Sequence, residues 1–322
     1  MARVFIDGFE SGSIDLWTAT SGQATTRAGM DGSYCGRYLN GYKVLPALSA
    51  YYLGFKYILD YGGTHNPIIF KNGTTALGEL RINSTSALFM FCNSANPTTA
   101  LATGVTPLVG ANIFHNIEWY YLPRSDGTGR SILKVNGITQ FDYTGVSAPS
   151  TSDIDRLHVV TYDDYIDNIV VDDSAWPGTT RIQAIWPTAA GANSGFTPSV
   201  DAVANYTMVD ERPASDTDYV RTNTSDAIDT YTMSNFVPPE ADVPWKIKCI
   251  QPQARAMYEG ISAVTQLNMA VKTGGTVYES ASLPLTTIWS GVGAVMEQNP
   301  NTSVDWTVSD IDGLEAGYRA KI

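Results

Sequence analysis

Charge is scarce in this chain of 322 residues: Asp, Glu, Lys and Arg together make up 16% of it, against roughly 25% in an ordinary soluble domain. The basic sign is the scarcer, with 20 Lys and Arg against 32 Asp and Glu, for a formal net charge of −12. A nucleic-acid binder needs a basic stripe to exchange for the counterions on phosphate, and none is visible, so that class is excluded. Cysteine is nearly absent. Cys35, Cys92 and Cys249 are odd in number and far apart, which indicates neither a disulfide framework nor a cysteine zinc site. Cys92 and Cys249 lie in apolar alternating runs and are expected to serve as small core hydrophobes. No stretch of about 18 apolar residues exists to span a membrane. Met1-Ala2-Arg3-Val4-Phe5-Ile6-Asp7-Gly8 enters strand-like sequence at once, without the basic and then apolar regions of a secretory leader, so export by a conventional signal peptide is not expected.

What the chain has instead is aromatic and uncharged polar. Aromatics reach 11%, with 18 Tyr, and Thr, Ser, Asn and Tyr must cover much of the surface. Such a skin suits extracellular and virion proteins.

Alternation with period two dominates from the start. In Tyr51 to Leu59 the odd positions are all large and apolar, which places them on one face of a half-buried strand. Leu80 and Ile82, flanked by Glu79 and Arg81, repeat the pattern. Asn83-Ser84-Thr85-Ser86 turns the chain, and Leu88 to Cys92 returns as the second arm of a hairpin. Ile117, Trp119 and Tyr121 alternate with Asn116, Glu118 and Tyr120, and Asn136-Gly137 after Ile132 to Val135 is a strong hairpin turn signal. Tyr165 to Val171 reads as the last strand of the first half. The turn formers and proline of Asp172 to Gly178 end it, and a strand is expected to restart at Ile182, Ala184 and Trp186. In the second half Ile228 to Met233, Trp245 to Cys249 and Leu267 to Val271 read as strands, Gly274-Gly275 as a turn, and Ser309 to Ala316 as a short helix. The Asn-, Asp-, Thr- and Ser-rich segment 189–226 reads as a long ordered loop, suited to binding contacts or to packing on a neighbour. Many short strands between Gly, Pro and Asx turns predict an all-β protein of two β-sandwich, jelly-roll domains, 1–177 and 178–322.

Catalytic motifs are missing. His65, His115 and His158 are scattered, with no His-x-x-x-His spacing, no Gly-x-Ser-x-Gly elbow, no P-loop and no dinucleotide fingerprint. Asp163-Asp164 and Asp172-Asp173 are candidates for calcium, which prefers hard oxygen ligands, but neither belongs to an EF-hand-like loop. Tyr34, Tyr38 and Tyr42, Tyr120 and Tyr121, and Tyr162 and Tyr165 offer flat faces that suit either sugar stacking or cross-strand packing. Tyr120, in the opposite phase to Trp119 and Tyr121, is the most suggestive.

Three passages together resemble the concanavalin-like and laminin-G-like lectin domains. They are Phe5 to Glu10 followed by Trp17, then Phe114 to Trp119 with Leu133 to Gly137, and Tyr165 to Asp173. The resemblance covers about residues 1–175 and implies a lectin-like sandwich. It also suggests a structural calcium, with Asp7 and Asp167 as its pair. Glycoside hydrolases of that fold carry a Glu-x-Asp-x-x-Glu strand, which Asp310-Ile311-Asp312-Gly313-Leu314-Glu315 resembles by spacing. It begins with Asp, lies at the far C-terminus, and reads better as a helix cap made by Ser309 and Asp312, with Leu314 packing inward. The second half resembles a β-rich module of tailed-phage structural proteins through Ala204 to Glu211, Asp216 to Val220, Asp226 to Tyr231, and Trp306 to Val308 with Leu314 to Gly317. What these likenesses imply is a non-enzymatic, surface-exposed virion protein, a head decoration, head fibre or tail adhesin. It would be homo-oligomeric and would contact capsid or tail proteins and glycans. It would have no cofactor beyond that calcium, and no catalytic residue is assigned. The alternative expectation is a secreted carbohydrate-binding module, and a glycoside hydrolase has only fold analogy behind it.

Overall fold

The computed structural model describes residues 3–27, 34–60, 62–83, 85–109, 113–238, 245–260 and 262–322. Met1 and Ala2 of the expected opening strand and Ser84 of the 83–86 turn lie outside them. The protein is nearly all β, 50% strand and 3% helix, and divides into two compact units, Met1–Gln183 and Ala184–Ile322.

The first unit contains β1 (Arg3–Asp7), β2 (Thr18–Thr25), β3 (Cys35–Leu48), β4 (Tyr51–Ile58), β5 (His65–Asn72), β6 (Thr75–Ile82) and β7 (Phe89–Asn93). These are followed by β8 (Ala100–Thr103), β9 (His115–Leu122), β10 (Gly129–Val135), β11 (Ile138–Gly145), β12 (Ile154–Val160) and β13 (Tyr165–Asp172). They pair in the order β11-β10-β9-β4-β13-β3-β12-β5-β6-β7-β8, with β1 on β13 and β2 on β3. The long β3 joins the two halves of this path. Gly36 and Arg37 pair with β13, whereas Asn40 to Leu48 pair with β12, and between them Tyr38 adopts a left-handed φ of 54°. The two halves pack face to face around one aromatic core. Tyr51, Leu53, Phe55, Ile117, Trp119 and Leu133 come from one half, and Ile68, Phe70, Leu80, Phe91, Leu157 and Val159 from the other. Phe70 lies 5.0 Å from Trp119, ring to ring. Burying each such side chain contributes about 1.5–3 kcal/mol, against about 0–1 for a surface ion pair such as Arg130–Asp142, so this core dominates.

The alternation read at Tyr51–Tyr57 and Ile117–Tyr121 marks inward positions, as expected. The Asn136-Gly137 turn has φ of 50° and 78°, both left-handed, as a primed two-residue hairpin requires. β1 and β13 pair, Phe5 opposite Val171, so the opening and closing strands are neighbours. No strand restarts at Ile182. Its backbone N–H donates to Asn168 Oδ1 at 2.8 Å, and the chain from Trp176 lies over the first unit.

The second unit contains β14 (Pro187–Ser194), β15 (Thr197–Pro198), β16 (Val220–Arg221), β17 (Ile228–Met233), β18 (Gln253–Ala256), β19 (Gln266–Thr273) and β20 (Thr276–Glu279). It ends with β21 (Leu283–Pro284), β22 (Ser290–Gly293), β23 (Gln298–Asn299), β24 (Val304–Asp305), α1 (Val308–Asp312) and β25 (Glu315–Lys321). The main sheet runs β14-β17-β25-β19-β20, with β21 also on β19. Val271, Trp306, Ile311 and Leu314 form a small core. Several expectations need correction here. The segment 189–226 is not all loop, since its start lies in β14, a 3₁₀ turn spans Asn205–Met208, and β15 pairs with β16. Trp245 to Cys249 form no strand, only an isolated bridge from Ile247 to Trp306, and Cys249 is half-buried, whereas Cys92 is buried as expected. The helix is shorter than expected. Thr307 caps it with Asp310 as the reciprocal partner, displacing Ser309 and Asp312 from that role, and Glu315 already belongs to β25.

Candidate functional site

Two faces of the first unit point away from the core. That of β4 and β9 is covered by the chain itself. Pro177 lies against Gly54, where an added Cβ would meet it at 3.0 Å. Gly178 N–H donates to Glu118 Oε1 at 2.9 Å, and Trp176 packs edge-on to Tyr52 at 5.2 Å with Lys134 Nζ 3.7 Å over its ring. Tyr120 stands 4.6 Å from Tyr52 and 6.4 Å from Trp176. The tyrosine singled out for stacking thus clamps the segment that leaves the domain.

The other face, on β3, β12, β5 and β6, is half-exposed at Tyr42, Ile69, Lys71, Arg156 and His158, with Glu79 buried among them. Strand register sets its layout. Tyr42 lies opposite His158, His158 opposite Ile69, Ile69 opposite Glu79, and Glu79 opposite Cys92, forming one rung across five strands. Two residues along, Arg156 lies opposite Lys71, and in the other direction stand Val160 and Arg81. Successive residues on one face of a strand are about 7 Å apart, so these side chains form a grid. At one end a pocket of about 290 Å³ is lined by Thr64, His65, Asn66, Ile69, Arg81, Val160 and Tyr162.

The polar groups of this grid are incompletely satisfied. Asn66 Nδ2 donates to Glu79 Oε2 at 2.8 Å, yet Asn66 Oδ1, Glu79 Oε1, Arg81 Nε and His158 Nδ1 are buried with no hydrogen-bond partner. Arg81 Nη1 donates to Pro97 O. Burial raises the Glu79 carboxyl above its ordinary range. His158 Nε2 donates to Asn40 Oδ1 at 3.0 Å, which leaves the Nδ1 lone pair bare. Burial and then the nearby Lys71 push its pKa down to about 4, so the ring is neutral at physiological pH. Buried polar atoms in folded proteins are paired in some nine cases of ten, and these four, with Arg156 Nε a fifth on the same grid, are polar groups that the unit's own packing leaves unsatisfied.

His65 backs the pocket. Its Nε2 lies 2.5 Å from Asp164 Oδ2 and 3.0 Å from Tyr57 Oη, and its Nδ1 lies 2.8 Å from Gly63 O. Tyr57 donates to the same Asp164 oxygen at 2.6 Å. The ring is thereby fixed edge-on to Tyr162, 5.5 Å away.

The remaining candidates scatter. His115 is buried beside Asn136 and Val109 O. Tyr34 packs on the core, Tyr121 and Tyr165 are buried, and Tyr38 is tied to Asp163. The carboxylates of the candidate pairs are each engaged by separate protein groups. Asp163 pairs with Arg37 at 2.9 Å. Asp172 accepts from Ser174 and Ala175 N–H groups, and Asp173 is the next residue of that turn. Asp7 is fully engaged by Phe9 N–H and Trp17 Nε1–H, both at 2.7 Å, and Asp167 accepts from Asn168 N–H at 2.6 Å. No cluster of three His, Cys, Asp or Glu able to hold a metal occurs among the described residues. Asp310, Asp312 and Glu315 also diverge: Asp310 caps α1, Asp312 accepts from Phe236 N–H, and Glu315 pairs with Lys272 at 2.6 Å. Asn66, Lys71 and Arg156 lie on β5 and β12, strands whose alternation the sequence reading does not draw out, whereas Glu79 and Arg81 are the outward phase beside Leu80 and Ile82 of β6.

No family model matches the chain, and no curated protein matches it. Among solved structures it is similar to the cellulose-induced protein Cip1, with 15% identity and a TM-score of 0.41 over 55% of this chain and 100% of that one. It is similar to the carbohydrate-binding module CBM66 from Bacillus subtilis, with 13% identity and a TM-score of 0.34 over 49% of this chain and 95% of that one. An endo-β-1,4-glucuronan lyase from the fungus Trichoderma reesei matches with 13% identity and a TM-score of 0.38, over 54% of this chain and 96% of that one. The lyase corrects one expectation, since the lack of a familiar catalytic motif does not make this chain a non-enzyme, and the β-sandwich folds it is similar to include a glycan-cleaving enzyme as well as a carbohydrate-binding module.

Proposed function

We propose that the first unit binds a carbohydrate on the half-exposed face of β3, β12, β5 and β6, with the Tyr162–Arg81 pocket as its anchor. The observation that carries this is the set of orphaned buried groups, Asn66 Oδ1, Glu79 Oε1, Arg81 Nε and His158 Nδ1. Three acceptors and one donor stand together, a set that hydroxyl groups, which both give and take a hydrogen bond, can meet. Tyr162 supplies exposed ring surface beside them. The test is a glycan array followed by calorimetric titration of the hits, with Arg81→Ala and Tyr162→Ala. Each variant is expected to weaken binding about tenfold or more, Arg81→Ala because it removes a buried hydrogen-bond donor and Tyr162→Ala because it removes ring surface for stacking. Unchanged affinity in both would sink the assignment, and shortened products in the titration cell would make the face an active site.

The setting belongs to the same proposal. Copies of the chain sit on the surface of a tailed-phage particle, as head decoration, head fibre or tail adhesin against capsid or tail proteins. The likeness of residues 204–231 and 306–317 to phage structural proteins supports this, as does the uncharged polar composition. Mass spectrometry of particles purified from a lysate tests it. A chain absent from particles and free in the medium would instead be a secreted carbohydrate-binding protein.

A further inference from the structure

We infer that the carbohydrate taken by this face is anionic, read by Lys71 and Arg156 at the end of the grid remote from the pocket. The inference rests on the carbohydrate reading above and adds the chemical class of ligand. Lys71 and Arg156 stand directly opposite each other on β5 and β12, an arrangement of like charges that costs stability in a sheet. The chain has acidic residues to spare, 32 against 20 basic, yet none separates these two. Burial and the Arg156 charge lower the Lys71 pKa, and among the described residues its ammonium has no hydrogen bond or ion pair. Arg156 spreads over the Tyr42 ring at 4.9 Å. Its nearest carboxylate, Asp155, is 3.8 Å from Nε and already accepts from Gly73 N–H. With Arg81 across the grid, three guanidinium and ammonium groups face the ligand side. Against them stands Glu79, which burial drives toward its neutral form.

A protein that is acidic overall but sets an unpartnered Lys71 against an Arg156 held only by a long contact to Asp155, beside hydroxyl-matching orphans, fits a sugar acid or sulfated sugar better than a neutral glycan or a nucleic acid. A carboxylate or sulfate supplies the counter-charge that Lys71 lacks, and a closer one than Asp155 gives Arg156, through charge-assisted hydrogen bonds. The ring hydroxyls meet Asn66, Glu79 and His158.

The experiment titrates the full chain with acidic oligosaccharides, each beside its uncharged counterpart. The probes are oligogalacturonate and its methyl ester, oligoalginate and its methyl ester, and a sulfated glycan with its desulfated form. At least one acidic member is expected to bind about tenfold tighter than its neutral twin, with the preference shrinking as salt rises from about 0.05 M to about 0.3 M. Lys71→Met with Arg156→Gln is expected to bring the ratio of acidic to neutral affinity down to about one. Equal affinity within every pair, or binding of neutral sugars alone, overturns this inference and leaves the carbohydrate reading standing. No binding to any glycan overturns both, and equal binding of an oligonucleotide of matched charge overturns the carbohydrate class. Circular dichroism of the double variant confirms that it folds. If it does not, Lys71→Gln alone is read by the same ratio.

Discussion

Gly78 on β6 is the position where a single methyl group tests the packing of the first unit most directly. Its backbone is not in a left-handed region, so no conformational reason demands glycine there; the reason is space. The Tyr121 ring, projecting from β9 in the facing half, fills the gap. A Cβ on residue 78 would meet Tyr121 Oη first, then Cζ at 2.5 Å and Cε2 at 3.0 Å. The ring cannot swing away, because it is fully buried, it stacks on Phe70 at 6.0 Å, and its hydroxyl donates to Ser147 O at 2.9 Å. Overpacking of this kind costs about 1–3 kcal/mol, and the loss of glycine's freedom in the unfolded chain returns about 0.4–1. Gly78→Ala is therefore expected to destabilise the first unit by about 1–2 kcal/mol. Urea dependence of hydrogen exchange at the core amides of Leu80 and Trp119 reads that unit alone. Tyr121→Leu removes the obstructing ring, so the double variant is expected to be less destabilised than the two single losses summed, a coupling of about 1 kcal/mol or more. A neutral or stabilising Gly78→Ala, or strictly additive losses, would refute the interdigitation of β6 with β9.

Two buried groups give the first unit opposing responses to acid. Burial lifts Asp7 to about 6, so its contribution is present at low pH and is lost as pH rises through 6. Keeping it ionised at neutral pH costs about 3 kcal/mol. Calorimetric Tm against pH is expected to lose that slope between about 4 and 6 in Asp7→Asn. His158, held near 4, contributes above about 6.5 and loses its contribution as pH falls toward 4, so His158→Gln is expected to flatten the acid side of the same curve. In the second unit Asp229 accepts from Asn205 Nδ2 at 2.6 Å, Tyr231 Oη at 2.8 Å and Phe196 N–H at 3.3 Å. Asp229→Ala is expected to cost about 1–3 kcal/mol for each donor left buried without a partner and to speed hydrogen exchange at Phe196 before the rest of the sheet. Uniform acceleration would refute a local anchoring role.

Much of the first unit is legible because a half-buried strand writes its two faces in alternating residues. Tyr51 to Tyr57 and Ile117 to Tyr121 show this, and Asn136-Gly137 marks a turn whose φ values few other pairs adopt. Trp245 to Cys249 alternates equally well and forms no strand, because alternation records a preference that only a ladder partner can realise. The reverse happens at β14, where Pro187 to Ser194 holds, apart from Thr188, only residues of low strand propensity, yet pairs with β17 through Ala189–Thr232 and Ala190–Tyr231. Context overrides propensity there.

The candidate site was half legible for a related reason. Each strand of the grid shows which residues point outward, and Glu79 and Arg81 were visible as the outward phase beside Leu80 and Ile82. What no single strand shows is register, which sets Arg156 against Lys71 and His158 against Ile69 from segments more than 80 residues apart. A shift of one residue in β12 would turn Arg156 and His158 into the core and Leu157 and Val159 out to solvent. The apolar phase therefore fixes the polar grid, and the core residues that hold Leu157 and Val159 in place are also what bring the cations and orphaned acceptors together. The two outer faces then diverge through the chain's own course. The segment from Trp176 to Ile182 satisfies Glu118 and Asn168 and shields Tyr52 and Tyr120 on one side. Nothing equivalent reaches Asn66, Glu79 and His158 among the described residues, so their unpaired groups are left for what the protein meets.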